Sequence, residues 1–571
     1  MSIKDTTVSR MYSGFRGVDF RGDDVSLNRS PDALNVWKDY RETDSVRTRP
    51  KEELFADFDG IVYGVFFFNG NVMVHCGDKL YKVKNGAKSI VCDGLAERES
   101  NAFVFEEKWY FKDGKNYLVY DGENIGSPDA YIPTTSIARA PESGGTQYED
   151  INFLTPLRKN TFLRTEDGKI FWLDAQKIDT DYEPIVEIVN KETLEYEPVT
   201  EPYIVDYEKG HIIFEQPPKD SNHELTNRTV GQDDLRVTFS KTIKGYADVI
   251  PECTMLQVFD NRVFFSGNAK YPNRIFHCAL EDPSYCSDTD FYREGLDTAS
   301  VTGMVAGNNN LWVFRESSDA NTNIFYHTPT LDEQYGKIYP SSHSSIALGC
   351  VGKAINFNDD ICFFSERGME GISGDITTEQ VAAHRSSLID RKMLSEKDYK
   401  KMVLAEWEGY LLVFIGKNAY LADSRAAFSN ENHMEYDWFY WELDHSVTCA
   451  NVKDGVLYVG TEGGVYTFTD NEGGVNSYWT TPKDKFKYPH KLKTTNKRGC
   501  VAEGTGDVSV YAKTEDSGFE LVGECAEVSD YFVSRIKMKK FKDIQLKFAT
   551  KTWFSLESVT LECFIGGYIK R

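Results

Sequence analysis

The chain has 571 residues and a net charge of −24, with hydrophobic residues at 40% and aromatics at 13%. That apolar fraction excludes a disordered chain, and the acidic balance excludes a protein that wraps DNA by neutralising phosphates, which needs clustered Lys and Arg. The 11 cysteines are scattered and odd in number, which excludes a secreted disulfide scaffold.

The opening MSIKDTTVSRMYSGF lacks the apolar core of a signal peptide, and no stretch of the chain is long and apolar enough to span a membrane. The expected product is a soluble chain made in a reducing cytoplasm. Residues 1–50 read as an N-terminal arm carrying a strand that closes a propeller. From there one pattern recurs: a polar turn, an apolar strand of a few residues, a second turn and a shorter strand. Copies start at Asn69, Glu106, Lys159, Asp260, Asn308, Asn358, Glu408 and Lys453. Apart from one long gap, the spacing is roughly 40–55 residues, the length of a four-stranded propeller blade. Apolar runs such as IVYGVFFF from Ile61 and VTGMVAG from Val301 supply innermost strands.

The predicted fold is therefore all-β: a β-propeller of seven or eight blades over 51–174 and 250–470, interrupted by an inserted β domain over 175–249. In the insert, DYEKGHIIFEQPP reads as a hairpin closed at Gly210 and ended by Pro217 and Pro218. The segment RSSLIDRKMLSEKDYKKM from Arg385 has helical composition and reads as an insertion between blades. Residues 471–571 read as a C-terminal β-sandwich-like module. There Ile536, Met538, Ile544, Leu546 and Phe548 alternate with Arg535, Lys537, Gln545 and Lys547, which predicts one buried and one basic face. From Thr481 to Arg571 there are 17 basic and 12 acidic residues, so a slightly basic piece follows an acidic body.

Several stretches invite chemistry. His277 and Cys278 are adjacent, with Cys253 upstream and Cys286 downstream. Neighbours on a strand point to opposite faces, and His75–Cys76 repeats the adjacency in another copy. Zinc sites pair cysteines at about two- to four-residue spacing, which is missing here. The four are read as structural, and a site would require Cys253, Cys286 and one of the pair to converge. The loop NAKYPN after the strand RVFFSG is longer than its counterpart in the last copy and is expected to touch a neighbouring subunit.

GDD at Gly22–Asp24 reads as a turn. DTD at Asp179–Asp181 and at Asp288–Asp290 offers hard oxygen donors for a cation, without the Gly and distal Glu of an EF-hand. The aromatics of YDWFYWEL, Tyr436 to Leu443 with Trp438 and Tyr440, suit either sugar stacking or a blade interface, and the interface is favoured. Nucleophile-elbow, HExxH and phosphate-cradling GxxxxGK[ST] motifs are missing, so no catalytic residue, cofactor or metal ligand is assigned.

Three stretches carry a family resemblance: FRGVDFRGDDVSLNRSPDALNVWKDY…VRTRP from Phe15 to Pro50, VDYEKGHIIFEQPP…VTFSKTIKGYADVIPEC with the segment from Phe259 that follows it, and the ending FSLESVTLECFIGGYIKR. Together they resemble the β-propeller virion proteins of tailed bacteriophages, described as packaged-DNA stabilisation, tail-hub or tail-nozzle proteins. The resemblance implies a non-enzymatic ring, commonly of six copies, that prolongs the portal channel and retains or conducts the genome without sequence-specific binding. Its partners would be copies of itself, other portal, tail and adaptor proteins, and the passing DNA, and its place the virion neck or tail. The alternative is a propeller-fold tail protein that binds or hydrolyses glycans.

Overall fold

Two-residue turns set the architecture. Seven repeat hairpins turn on successive residues at positive φ: Asn69–Gly70, Glu106–Glu107, Asp260–Asn261, Asn308–Asn309, Asn358–Asp359, Glu408–Gly409 and Asp454–Gly455. This is the geometry of a tight hairpin whose twist matches its strands, and Asn, Asp and Gly tolerate it best. The structure, a computed structural model, describes residues 6–568 apart from 40–44, 138–146, 165–167, 191–192, 194, 219–232, 320–321, 334–335, 374–379, 431–432, 470–473, 516, 530 and 535–537.

Five of the turns belong to separate four-stranded antiparallel sheets, spanning Asn101–Gly126, Met255–Arg293, Val301–His343, Ala354–His384 and Val403–Glu442. The other two belong to one six-stranded sheet. Its order is Val447–Lys453, Val456–Thr469, Lys51–Phe68, Asn71–Cys76, Lys79–Lys84 and Ala87–Cys92. Lys51–Phe68 is long enough to serve twice: Lys51–Asp57 pairs with Gly464–Thr469, and Val62–Phe68 pairs with Asn71–Cys76. Gly60 and Gly463, both at positive φ, mark the bends. An early strand thus closes on a late hairpin, and the chain is an all-β propeller protein whose repeat hairpins lie in five four-stranded sheets and one six-stranded sheet among the described residues.

The copy beginning at Lys159 is not a blade. Leu157–Phe162 pairs in parallel with Thr134–Ile137 and antiparallel with Leu235–Ser240, while Ile170–Trp172 pairs with His211–Phe214. Its Lys159–Asn160 step has no positive φ and lies inside a strand, so no hairpin forms. These strands belong to an inserted pair of sheets, six- and three-stranded, which run from Thr134 to Ser240 and begin ahead of residue 175. Phe162, Phe171, Phe214, Leu235, Val237 and Phe239 fill the core of the insert.

By contacts the chain forms two compact units, Ser100–Val301 and Met1–Glu99 with Thr302–Arg571. The second unit contains an eleven-stranded sheet. Its main path is Ala33–Leu34, Ser477–Thr480, Ile544–Thr550, Lys491–Thr514, Phe554–Tyr568, Val46–Thr48 and Val36–Trp37. The two ends of that path are separated in sequence by Asn35 alone, at φ 55, so the sheet nearly closes into a barrel. The N-terminal arm is therefore part of the C-terminal module: Thr6–Ser13 runs antiparallel to Ser558–Ile565. Ile544, Leu546 and Phe548 are buried as the alternation predicts. The opposite face differs, because Gln545 is also buried and donates to the Thr481 carbonyl, and Lys547 lies over the Tyr478 ring at 3.3 Å. Arg535, Ile536 and Lys537 lie outside the described residues, and Met538 packs partly buried against the core. The helical insertion is confirmed as one short α-helix, Asp390–Met393, and a 3₁₀ turn, Tyr399–Lys401.

Glu106 and Glu107 are the poorest fit to their turn, since they hold φ of 44 and 64 respectively with long side chains, and neither is the Gly, Asn or Asp that this backbone favours. Replacing them by Asn and Gly is expected to stabilise the unit by about 1 kcal/mol per position. Thermal or urea unfolding of Glu106→Asn/Glu107→Gly against wild type measures it, with an upward shift expected.

Candidate functional site

Residues of the first of the three resembling stretches, Phe15 to Pro50, converge on one structural strap. Gly17, at φ +76, lies so close to blade Val403–Glu442 that a Cβ would sit 1.9 Å from the Trp438 carbonyl oxygen. Val18 N donates to that oxygen at 2.7 Å. Buried Asp437 receives two cations from the strap: Arg16 Nε at 2.8 Å and Arg29 Nη2 at 2.5 Å. Ser30 Oγ accepts from the backbone of Asp32, in the Ser-Pro-Asp step, and of Thr480. Asn35 Oδ1 accepts from Glu442 N at 2.8 Å and Arg49 Nε at 3.0 Å, and its Nδ2 donates to Asn476 O. Trp37 stacks on Trp407 at 5.4 Å and meets Trp441 edge-on at 5.7 Å. Arg49 donates to Glu52 Oε1 and to the Glu442 carbonyl, both at 3.1 Å. Burial lowers the Arg49 pKa, and Glu52 opposes that shift. Each of the side chains named here is spent on holding the strap.

The cysteine constellation does converge, but as packing. Cys253, Cys278 and Cys286 share one apolar core with Val263, Phe265 and Phe276. His277 lies on the opposite face, paired across the strands with Phe264 and stacked on Tyr292. Burial pushes Cys253 and Cys278 up to about 12, and Cys286 also well above its usual range, so the thiols stay protonated. Lys112 enters the same core, lowered by burial to about 8, with its ammonium donating to the carbonyls of Ile250 and Pro251. Nothing of this cluster reaches solvent to act as a nucleophile. The expected subunit-contact loop is anchored at its two ends, where Asn268 donates to Val249 O and Asn273 to the carbonyls of Gly295 and Asp297, while Ala269 and Lys270 between them are exposed.

Of the two DTD segments, Asp179 caps the end of a strand. Burial would raise its pKa, but hydrogen bonds from Ser240 Oγ and from Thr242 N and Oγ1 prevail and lower it, while Asp181 points to solvent. Asp288 and Asp290 face Asp150, which Thr289 Oγ1 bonds at 2.6 Å. Burial, and then repulsion from Asp150 and Asp288 against the attraction of Arg262, leaves Asp290 raised to about 6. Among the described residues no group of three or more His, Cys, Asp or Glu has a metal-holding arrangement. Gly22–Asp24 is an exposed turn pinned by Lys485 on Asp24 at 2.9 Å. Tyr436, Trp438, Phe439, Tyr440 and Trp441 are all buried, so these aromatics fill an interface.

One arrangement escaped the sequence reading. His384 is held between Glu370 Oε1 at 3.1 Å and Asp390 Oδ2 at 2.5 Å, and Ser386 Oγ donates to the other Asp390 oxygen. Burial opposes its charge, yet the two carboxylates prevail and raise it to about 10. An imidazolium clamped in this way is a brace between the sheet and the short helix, not a general base.

No family model and no curated protein matches the chain. Solved structures that share its β-rich character superpose loosely. BamB from Moraxella catarrhalis is 10% identical, with TM-score 0.33 over 74% of this chain and 98% of that one. An exo-β-1,3-galactanase from Phanerochaete chrysosporium is 9% identical, with TM-score 0.22 over 55% and 95%. PorZ of Porphyromonas gingivalis is 11% identical, with TM-score 0.20 over 87% and 99%. Similarity this weak carries no activity or partner across, and the fold stands on the sheets themselves.

Asp437→Asn leaves Arg16 and Arg29 facing a neutral amide inside the protein. The cost is expected to be about 3 kcal/mol, with proteolytic release of the N-terminal strap as the visible consequence. Asp290 gives a second expectation. Its folded pKa of about 6 exceeds the ordinary 3.8, so the folded chain takes up the proton first and its stability rises as pH falls from 6 towards 3.8. Asp290→Asn should therefore stabilise by on the order of 1 kcal/mol at pH 7.5 and by nearly nothing at pH 4, read from paired thermal melts at the two pH values.

Proposed function

We propose that this chain is a non-catalytic structural subunit of a tailed-phage particle, made in the host cytoplasm and built into a ring at the neck or tail that extends the DNA channel. The observation that carries the reading is the strap. In the first of the three resembling stretches, Gly17, Ser30, Asn35, Trp37 and Arg49 are all committed to holding the arm against a blade and the C-terminal sheet. A signature made of closure contacts suits a part that bears force and is not asked to turn over substrate. Protonated, buried thiols and a clamped imidazolium agree with it. The net charge of −24 also agrees, because a polyanion slides past an acidic protein without the dwell that phosphate pairing imposes. In this reading the partners are further copies of the chain, commonly six in that family, and the portal, tail and adaptor proteins.

A second reading, a tail protein that holds glycans, is favoured by an open polar cleft in the C-terminal sheet and not by the buried Tyr436–Leu443 aromatics.

Gold-labelled antibody against the chain, applied to particles purified from a lysate of the producing host, tests the first reading. Label at the neck or tail is expected, and particles free of label would overturn it.

A further inference from the structure

Strand Lys491–Thr514 alternates across the C-terminal sheet. Val508, Val510 and Ala512 are buried in the core, so Asp507, Ser509, Tyr511 and Lys513 face outward. The cross-strand partners of Ser509 are Glu524 on one side and Ala549 on the other, and Ala549 is in turn paired with Tyr478. Partners in an antiparallel register share a face, so a row Glu524–Ser509–Ala549–Tyr478 crosses the sheet. Its two middle members are small and its ends are large. The result is an open cleft of about 570 Å³, lined by Asp507, Ser509, Tyr511, Glu524, Cys525, Lys551 and neighbouring residues. That volume falls in the range of small-molecule sites, roughly 300–1,000 Å³.

The chemistry of the lining is specific. Tyr511 is partly exposed, and Ser509, Tyr511, Glu524 and Lys551 spend no side-chain polar atom on the rest of the described chain. Asp507 is fixed instead: its Oδ1 accepts from Glu527 N at 2.9 Å and its Oδ2 from Thr552 Oγ1 at 3.0 Å. These bonds, the backbone one first, lower its pKa and keep it ionised. An aromatic face beside carboxylate acceptors, an ammonium donor and hydroxyls matches a ring with C–H faces and many hydroxyls. Two carboxylates in the cleft, with Glu520 and Glu527 on the same edge strand, repel a phosphate backbone and disfavour a nucleic acid.

We propose that this cleft binds an uncharged saccharide, stacked on Tyr511 and hydrogen-bonded by Glu524, Ser509 and Lys551. The proposal deepens the glycan reading and stands or falls apart from virion assembly. Cys525 supplies a local reporter, because it borders the cleft next to Glu524, its side chain packed partly against the core beside its cross-strand partner Val508, and with Cys92 it is one of the two cysteines that are not buried.

Full-length protein is titrated calorimetrically with chitotetraose, maltotetraose and β-1,3-galactotriose, and alkylation of Cys525 and Cys92 is followed by peptide mass spectrometry with and without sugar. At least one of the three is expected to bind and to slow alkylation at Cys525 while leaving Cys92 unchanged. Tyr511→Ala should weaken that binding about tenfold, and Tyr511→Phe, which keeps the ring, by no more than about threefold. Binding by none of the three, unprotected Cys525, a Tyr511→Ala variant that binds like wild type, or protection of Cys525 by a single-stranded oligonucleotide instead would each overturn the proposal. Since Tyr511→Phe and the Cys525 reporter leave the sheet intact, misfolding of one variant does not decide the outcome.

Discussion

The pairing of Asp437 with both Arg16 and Arg29 is the contact around which the larger compact unit is arranged. A buried carboxylate is costly unless it is fully paired, and the two guanidiniums that pair it come from a segment some four hundred residues earlier in the chain. Burying Asp437 is therefore affordable only with the strap in place. Once it is, Gly17 lies against the Trp438 carbonyl, Trp37 completes the stack with Trp407 and Trp441, and Asn35 turns the chain between the two ends of the eleven-stranded sheet. One electrostatic commitment thus fixes the position of a blade, a tryptophan cluster and a sheet seam.

The repeat was legible because its turns are chemically marked. Asn-Gly, Asp-Asn, Asn-Asn, Asn-Asp, Glu-Gly and Asp-Gly steps tolerate the left-handed backbone that a tight hairpin demands, and the structure uses each in that way. The Lys159–Asn160 copy carries the same apolar rhythm without such a pair, and there the chain runs straight on as a strand. Periodicity alone could not separate the two cases. The residue pair at the turn could have done so, and Glu106–Glu107 shows the limit of that rule, because the fold imposes the turn on residues that disfavour it.

At the level of sites, opposite-face geometry was readable for His277 and Cys278, since it follows from strand pleating alone. That Cys253 and Cys286 join Cys278 in one core was not, because it depends on how the turn before the blade's first strand and the loop before its last one fold onto it. The His384 brace was hidden for the same reason: Glu370, His384 and Asp390 come from two strands and a helix. The C-terminal cleft is the extreme case. Asp507, Ser509 and Tyr511 read as an ordinary outward face, and only the cross-strand neighbours Ala549 and Glu524 make it hollow.

The closure of an early strand on a late hairpin has a consequence in time. Thr6–Ser13 finds its partner in Ser558–Ile565, and Lys51–Asp57 finds its own in Gly464–Thr469. A ribosome adding about 5–20 residues per second needs roughly half a minute to two minutes to deliver those partners. Throughout that interval the first strands of the chain have unpaired edges, while hairpins made later can zip up locally as they emerge. The early strands are made first and docked last. A product that stops short of the late strands keeps its blade hairpins but leaves the strap unpaired.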